Sequence, residues 1–250
     1  MKKLPADALT AAAQSREIQA FRNELGGRVR AGAHLILYGP RGSGKSTLLS
    51  ALEIQLQATD TPCGLAPRTR GLPDIVAALA AAYPRTDVAG LRKRAARARL
   101  RRVADHSPGV LLLDHTTRMT TAMLGYLRRL RGGIAGALLV ADIDSQRERE
   151  RMRAWHAGAL SLRMPLLPNR ALQEFLLAIM QAHGIPKIEP RMQRQIIGLA
   201  RGRIGWAKEC ARRLQMQNYW QDDRLHLGLI CTDTEIAVRQ SRSGPSMWAI

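Results

Sequence analysis

The feature that most constrains this chain is one short run, Gly39-Pro40-Arg41-Gly42-Ser43-Gly44-Lys45-Ser46-Thr47, which fits the spacing G-x-x-x-x-G-K-[ST]. Glycines at 39, 42 and 44 permit backbone conformations that aim N–H groups inward at phosphates, and a helix starting near Lys45 offers them its positive end. The motif carries meaning only between a strand and a helix. Both neighbours are legible: His34-Leu35-Ile36-Leu37-Tyr38 is a short apolar run bounded by glycines, and Leu48, Leu49, Leu52, Ile54 and Leu56 continue from Ser46 in helical fashion. The run therefore predicts a site for ATP or GTP, in which Lys45 reaches the β and γ phosphates and the Ser46 hydroxyl ligates Mg²⁺.

Such a loop needs an acidic metal partner at the end of a neighbouring buried strand. Val110-Leu111-Leu112-Leu113 reads as that strand, and Asp114 ends it. A further strand, Ala137 to Ala141, leads to Asp142, a polar residue placed to sense the γ-phosphate, with Asp144 competing for the role. A weaker strand is expected at Cys63–Ala66. Helices are expected from Asp7 to Val29 with an interruption at Gly26-Gly27, from Ile75 to Tyr83, from Leu91 to Ala104 and around Met123 to Leu130. Alternating strands and helices predict an α/β fold, a parallel sheet flanked by helices. After Pro168 helical periodicity takes over, through Ala171 to His183 and Pro190 to Met216. A short strand at Leu225–Ile230, a helix at Asp233–Arg239 and a loose tail at Ser241–Ile250 complete the chain. Residues 1–165 thus read as the nucleotide-binding core and 166–250 as a helical appendage with its tail.

Charge limits the partners. Among 250 residues, 39 are Lys or Arg and 20 are Asp or Glu, a formal net charge of +19 and a pI near 11.3. Self-repulsion of that size works against compactness, and a polyanion, nucleic acid first, is the natural counterweight. Arg92, Lys93, Arg94, Arg97, Arg99, Arg101 and Arg102 crowd one helix, leaving Leu91, Ala95 and Val103 for packing; the same helix also reads as an ordinary solvated face. Aromatic residues make up only 4% of the chain, too few for a base-stacking platform, so backbone contact with duplex DNA is favoured over single strands. Cys63, Cys210 and Cys231 lie far apart with no C-x-x-C pair, which excludes a zinc or dithiol motif and fits a reduced compartment. Leu4-Pro5-Ala6-Asp7 interrupts any signal-peptide apolar stretch and no segment has the length of a membrane span, so a soluble, cytoplasmic protein is expected.

The order of parts resembles the AAA+ ATPases: Arg16-Glu17 in a leading helix, the phosphate loop, the strand ending at Asp114, a polar strand end, the arginine-rich segment Gln146–Arg153, then a helical lid. Within that group the chain is similar to the bacterial transposition regulators of the TniB and TnsC type and to the related ExeA-type ATPases. The resemblance implies a P-loop AAA+ core with a small C-terminal helical lid, ATP with Mg²⁺ held by Ser46 and Asp114, and a nucleotide pocket lined by residues 39–47, Asp142 and a lid arginine. In Ala200-Arg201-Gly202-Arg203-Ile204-Gly205-Trp206 the nearest lid candidate is Arg203, with Trp206 as the alternative occupant of the sensing position. Relatives commonly carry glutamate after the metal-binding aspartate, where this chain has His115. A histidine can orient a water but lacks the carboxylate charge when neutral and is a poor base when protonated. Lys45, Asp114 and His115 as the catalytic set therefore imply slow or partner-dependent hydrolysis. The resemblance further implies ATP-dependent self-association into a ring or filament around DNA and a transposase or other recombination partner. Two other readings stand beside it: an ATP-gated assembly adaptor of the ExeA kind without DNA, and a small-molecule kinase, for which the helical segment after Pro168 supplies no convergent catalytic groups.

Overall fold

The computed structural model describes residues 16–116, 119–130, 133–142, 158–182, 184–185, 188–221 and 224–240. Residues 7–15 of the first expected helix, Asp144, the Gln146–Arg153 segment and the tail from Ser241 lie outside them. In chain order the elements are α1 (Arg16–Arg30), β1 (His34–Gly39), α2 (Lys45–Gln57), β2 (Cys63–Ala66), α3 (Leu72–Ala82), α4 (Lys93–His106), β3 (Gly109–Leu113), α5 (Thr121–Leu130), β4 (Ile134–Asp142) and β5 (Leu160–Arg163). There follow α6 (Asn169–Ala182), α7 (Pro190–Ala200), α8 (Ile204–Leu214), a 3₁₀ turn at Gln217–Tyr219, the short strands β6 (Trp220–Gln221) and β7 (Arg224–Leu225), and α9 (Leu227–Gln240).

Strands β1 to β5 form one sheet in the order β2-β3-β4-β1-β5, every pairing parallel. Parallel strands need long crossovers, and the helices supply them. On one face α3, α4 and α5 bury Ile75, Leu79, Leu100, Met123 and Leu127 in a single core with Leu111, Leu113 and Leu139 of the sheet. Elsewhere α1 and α2 pack closely. A Cβ on Gly26 would sit 3.2 Å from Leu52, so the Gly-Gly expected to interrupt α1 instead lets the unbroken helix approach α2. Edge strand β5 has no counterpart in the sequence reading, because its residues alternate only weakly and are partly exposed. α4 packs through Leu100 and Ala104, with Val103 at the margin; Leu91 and Ala95, the other expected packing residues, are exposed.

Residues 20–40 and 45–164 make one compact unit, and the described residues of 16–19, 41–44 and 165 onward make the other. The second is built on α6 to α9, whose core includes Leu172, Phe175, Ile179, Ile196, Trp206, Cys210 and Ile230. Pro190 to Met216 is not one helix. It breaks at Arg201 and Gly202, both left-handed with φ of 48° and 73°. A Cβ on Gly202 would meet the Leu167 carbonyl at 2.7 Å, so the turn requires glycine on grounds of both conformation and space. The strand expected at Leu225–Ile230 shrinks to two residues: Leu227, Ile230, Cys231 and Val238 meet the core at helical spacing, and burial of that stripe settles the segment as α9.

Candidate nucleotide-binding site

In a parallel sheet the carboxyl ends of the strands share one edge, where ligands bind. Here β1 ends at Gly39, β3 runs into Asp114 and β4 ends at Asp142, which is in register with Gly39. The phosphate loop leaves β1 at this edge and enters α2 at Lys45. Gly42 and Gly44 have φ of 75° and 96°, the left-handed conformations that the motif's glycines were expected to supply. Lys45 is 4% exposed, and its ammonium donates to the carbonyls of Gly39 at 2.8 Å and Pro40 at 2.7 Å, tying the helix start to the loop's first turn. Ser46 and Thr47 are exposed on the first turn of α2, while Ser43 is buried.

Asp114 is almost fully buried, and its Oδ1 accepts the His115 N–H at 2.8 Å. That contact bends His115 into the left-handed region at φ 55°, a sparsely populated conformation for a residue with a side chain. The imidazole Nε2 lies 3.8 Å from Asp114 Oδ2 and is half exposed. Thr116 is buried and its hydroxyl donates to the Val140 carbonyl at 2.9 Å, locking the turn to β4. Thr69 escaped the sequence reading. Its N–H donates to the Asp114 carbonyl at 3.0 Å, and its hydroxyl is buried without a hydrogen-bond partner among the described residues. A lone threonine in a turn-rich stretch gives no signal; only the pairing of β2 with β3 brings it to Asp114.

The loop tip, Arg41 to Gly44, belongs to the same unit as the helices after residue 165. The Gly205 N–H at the start of α8 donates to the Gly42 carbonyl at 2.6 Å, and the Arg41 guanidinium donates to the Val238 carbonyl of α9 at 3.0 Å. A Cβ on Gly205 would stand 2.9 Å from Gly42 Cα, so the approach needs glycine there too. Arg203 occupies the N-cap of α8. Its guanidinium donates to the Ala200 and Leu199 carbonyls and to Glu235 Oε2 at 3.1 Å, and lies 5.9 Å above the Trp206 ring. The buried Trp206 donates its indole N–H to the same Glu235 oxygen at 3.1 Å.

The residues present suit a nucleotide and its cation. Left-handed glycines, a helix start at Lys45 and exposed hydroxyls on its first turn make a phosphate cradle, and a buried carboxylate follows β3, two strands from β1 in the sheet. No cluster of three or more His, Cys, Asp or Glu side chains exists among the described residues. A cation here would rest on Ser46, Asp114 and phosphate oxygens, the sparse ligation typical of Mg²⁺.

Residues 29–147 match the family model described as the AAA domain. The fold is the AAA+ fold. Similar solved structures include the ORC2 protein of Aeropyrum pernix in ADPNP–ADP complexes, at TM-score 0.55 and 20% identity over 89% of this chain and 68% of that one. The ORC1 protein of Aeropyrum pernix in complex with DNA gives a TM-score of 0.57 at 16% identity, over 87% of this chain and 65% of that one. Domain III of the Thermotoga maritima replication initiation protein DnaA gives 0.52 at 11% identity, over 93% and 98%. The chain thus spans about two thirds of the ORC proteins and nearly all of the DnaA domain. At these identities the likeness is one of fold. No protein of curated function matches the chain. No helix among the described residues is long and apolar enough to cross a membrane.

Proposed function

We propose that this protein is an ATP-dependent AAA+ regulator that binds duplex DNA, assembles on it as a ring or filament, and recruits or licenses a partner such as a transposase. The observation that carries the reading is the phosphate loop between β1 and α2 in an AAA+ fold, with Asp114 following β3 at the same edge of the sheet. The backbone N–H groups of Gly42 to Ser46 and the Lys45 ammonium would hold the phosphates, and Ser46 and Asp114 the Mg²⁺. Bound Mg²⁺ would neutralise phosphate charge in the manner common to P-loop proteins. Asp142, which ends β4 in register with Gly39, would sense the γ-phosphate.

His115 is the reason for an assembly switch rather than a fast enzyme. Its imidazole can orient a water by one hydrogen bond, but a neutral ring does not supply the negative charge that makes a carboxylate an effective base. ATP then acts chiefly as a conformational ligand. The net charge of +19 and the likeness in fold to an ORC1 protein solved with DNA support duplex DNA as the platform. The similarity in motif order to TniB and TnsC supports transposition as the setting.

Electron microscopy of the purified protein with random-sequence duplex DNA, in ATP, a non-hydrolysable analogue and ADP, tests this directly. Ordered rings or filaments are expected with ATP and the analogue, and not with ADP. Absence of triphosphate-dependent assembly with DNA would overturn the proposal.

A further inference from the structure

The seven basic residues between Arg92 and Arg102 do not form one face. At 100° per residue, Arg94, Arg97 and Arg101 fall on one flank of α4 at i, i+3, i+7, whereas Arg99 and Arg102 fall away from it; Arg92 stands at the N-cap and Lys93 opens the helix, and the buried Leu100 and Ala104 face the core. The first flank lies on the side of α5, because Asp105, which shares that flank, abuts Gly133 beyond the end of α5, and both helices contribute to one core through Leu100, Ala104, Tyr126 and Leu130. α5 ends in two exposed arginines, Arg128 and Arg129. Tyr126, one helical turn from Leu130, reports where these charges converge. It is 4% exposed, and its hydroxyl has no hydrogen-bond partner among the described residues. Burial pushes its phenol up while Arg97, Arg129 and Arg101 pull it back. Asp105 stands one turn after Arg101 on the same flank of α4, so this flank and the end of α5 come together at Gly133. No carboxylate pairs with Arg94, Arg97 or Arg129 among the described residues, and Arg101 has only a long, solvated contact of 3.9 Å to Asp105.

The topology puts the Arg101 and Arg129 end of this cluster toward the edge away from the nucleotide. α4 stops at His106 just before β3 begins at Gly109, and α5 stops at Leu130 just before β4 begins at Ile134. Asp105 and Gly133 touch at that amino edge of the sheet. Lys45, Asp114 and Asp142 follow the carboxyl ends. Along β4 the two edges are separated by about 26 Å at 3.3 Å per residue.

We propose that Arg97 and Arg101 of α4 and Arg129 of α5 form a phosphate-binding seat for the backbone of duplex DNA, on the helical layer toward the sheet edge opposite the phosphate loop. The proposal rests on the DNA-binding reading above and specifies its surface. From Arg97 to Arg101 the helix rises about 6 Å, enough to meet two successive phosphates of one strand. Tyr126 is buried, and among the described residues no exposed ring at the cluster offers a base a stacking surface; backbone contact with a duplex suits it better than a single strand. Arg129 lies far beyond the basic run in sequence, and only the packing of α4 against α5 unites them.

Two triple variants of the full chain separate this seat from general charge: R97A/R101A/R129A, and R92A/R99A/R102A, which removes the same net charge from elsewhere on α4 and its N-cap. Alanine favours helix and all six positions are exposed or partly exposed, so both should fold, as thermal melts and binding of a fluorescent ATP analogue would verify. Binding of each to a duplex of random sequence is measured across a salt series by fluorescence anisotropy. Each lost phosphate contact lowers the slope of log K against log salt by about 0.9, so the seat variant should lose about 2 to 3 in slope and at least tenfold in affinity near 0.1 M salt. The other triple should lose less than half as much. Equal losses in both would overturn the seat and leave DNA binding standing as a diffuse effect of charge. No binding of duplex DNA by the unaltered protein would overturn both the seat and the DNA-binding reading.

Discussion

At the scale of single residues, His115 is the position where local geometry and chemistry meet. Its left-handed backbone is held by the hydrogen bond from its own N–H to Asp114 Oδ1, so whatever side chain stands there is aimed by Asp114 rather than by a strand. A glutamate at this point would add the missing carboxylate while keeping that turn, at a conformational cost of about 1 kcal/mol or less relative to histidine. Positioned bases contribute roughly 10²–10⁴-fold to such reactions. H115E is therefore expected to raise steady-state ATP hydrolysis by about tenfold or more, measured as phosphate release with and without DNA. An unchanged rate would mean that histidine is not what limits turnover. Thr69 and the left-handed Arg201 teach a related lesson: neither is marked in the sequence by type or spacing, and each takes its place from the strand or helix end that it adjoins.

Among the elements, α8 and α9 are held together by two carboxylates. Glu235 accepts from both Arg203 and Trp206, and Asp233 accepts from the Tyr219 hydroxyl, which in turn accepts from Arg213 at 2.6 Å. Arg203 is mostly buried at 17% side-chain exposure, so losing its partner strands a guanidinium and an indole N–H together. E235A is expected to destabilise the protein by about 2 to 3 kcal/mol, seen as a lower urea midpoint with an unchanged slope. If the midpoint stays within a few tenths of a molar of the unaltered protein, the carboxylate is not the clasp described here. The sequence reading weighed Arg203 and Trp206 as rivals for one sensing position. Glu235, about thirty residues on, instead binds both. That contact depends on how α9 packs across α8, which no local spacing encodes.

Over the whole molecule, charge outweighs any single contact. A net +19 on a chain of this size sets like charges against one another over distances that salt readily screens, the Debye length being about 10 Å at 0.1 M. Raising NaCl from about 0.05 to about 0.5 M should raise the melting temperature by several degrees, followed by differential scanning fluorimetry without nucleotide or DNA; a flat or falling response would mean that repulsion is not a significant cost. The strand before the phosphate loop, the helix after it and the apolar run ending at Asp114 were readable from residue order because each is encoded by neighbours: a buried parallel strand is a short apolar run, and a phosphate loop needs its glycines at fixed spacing. The helical character after Pro168 was readable for the same reason. The strand order β2-β3-β4-β1-β5, the edge strand β5, the approach of Gly205 to Gly42 and the grouping of Arg129 with Arg97 and Arg101 were not. Each of these is a meeting of residues distant in the chain, settled by which apolar faces bury against one another, and hydrophobic burial is non-directional and leaves no local signature of its partner.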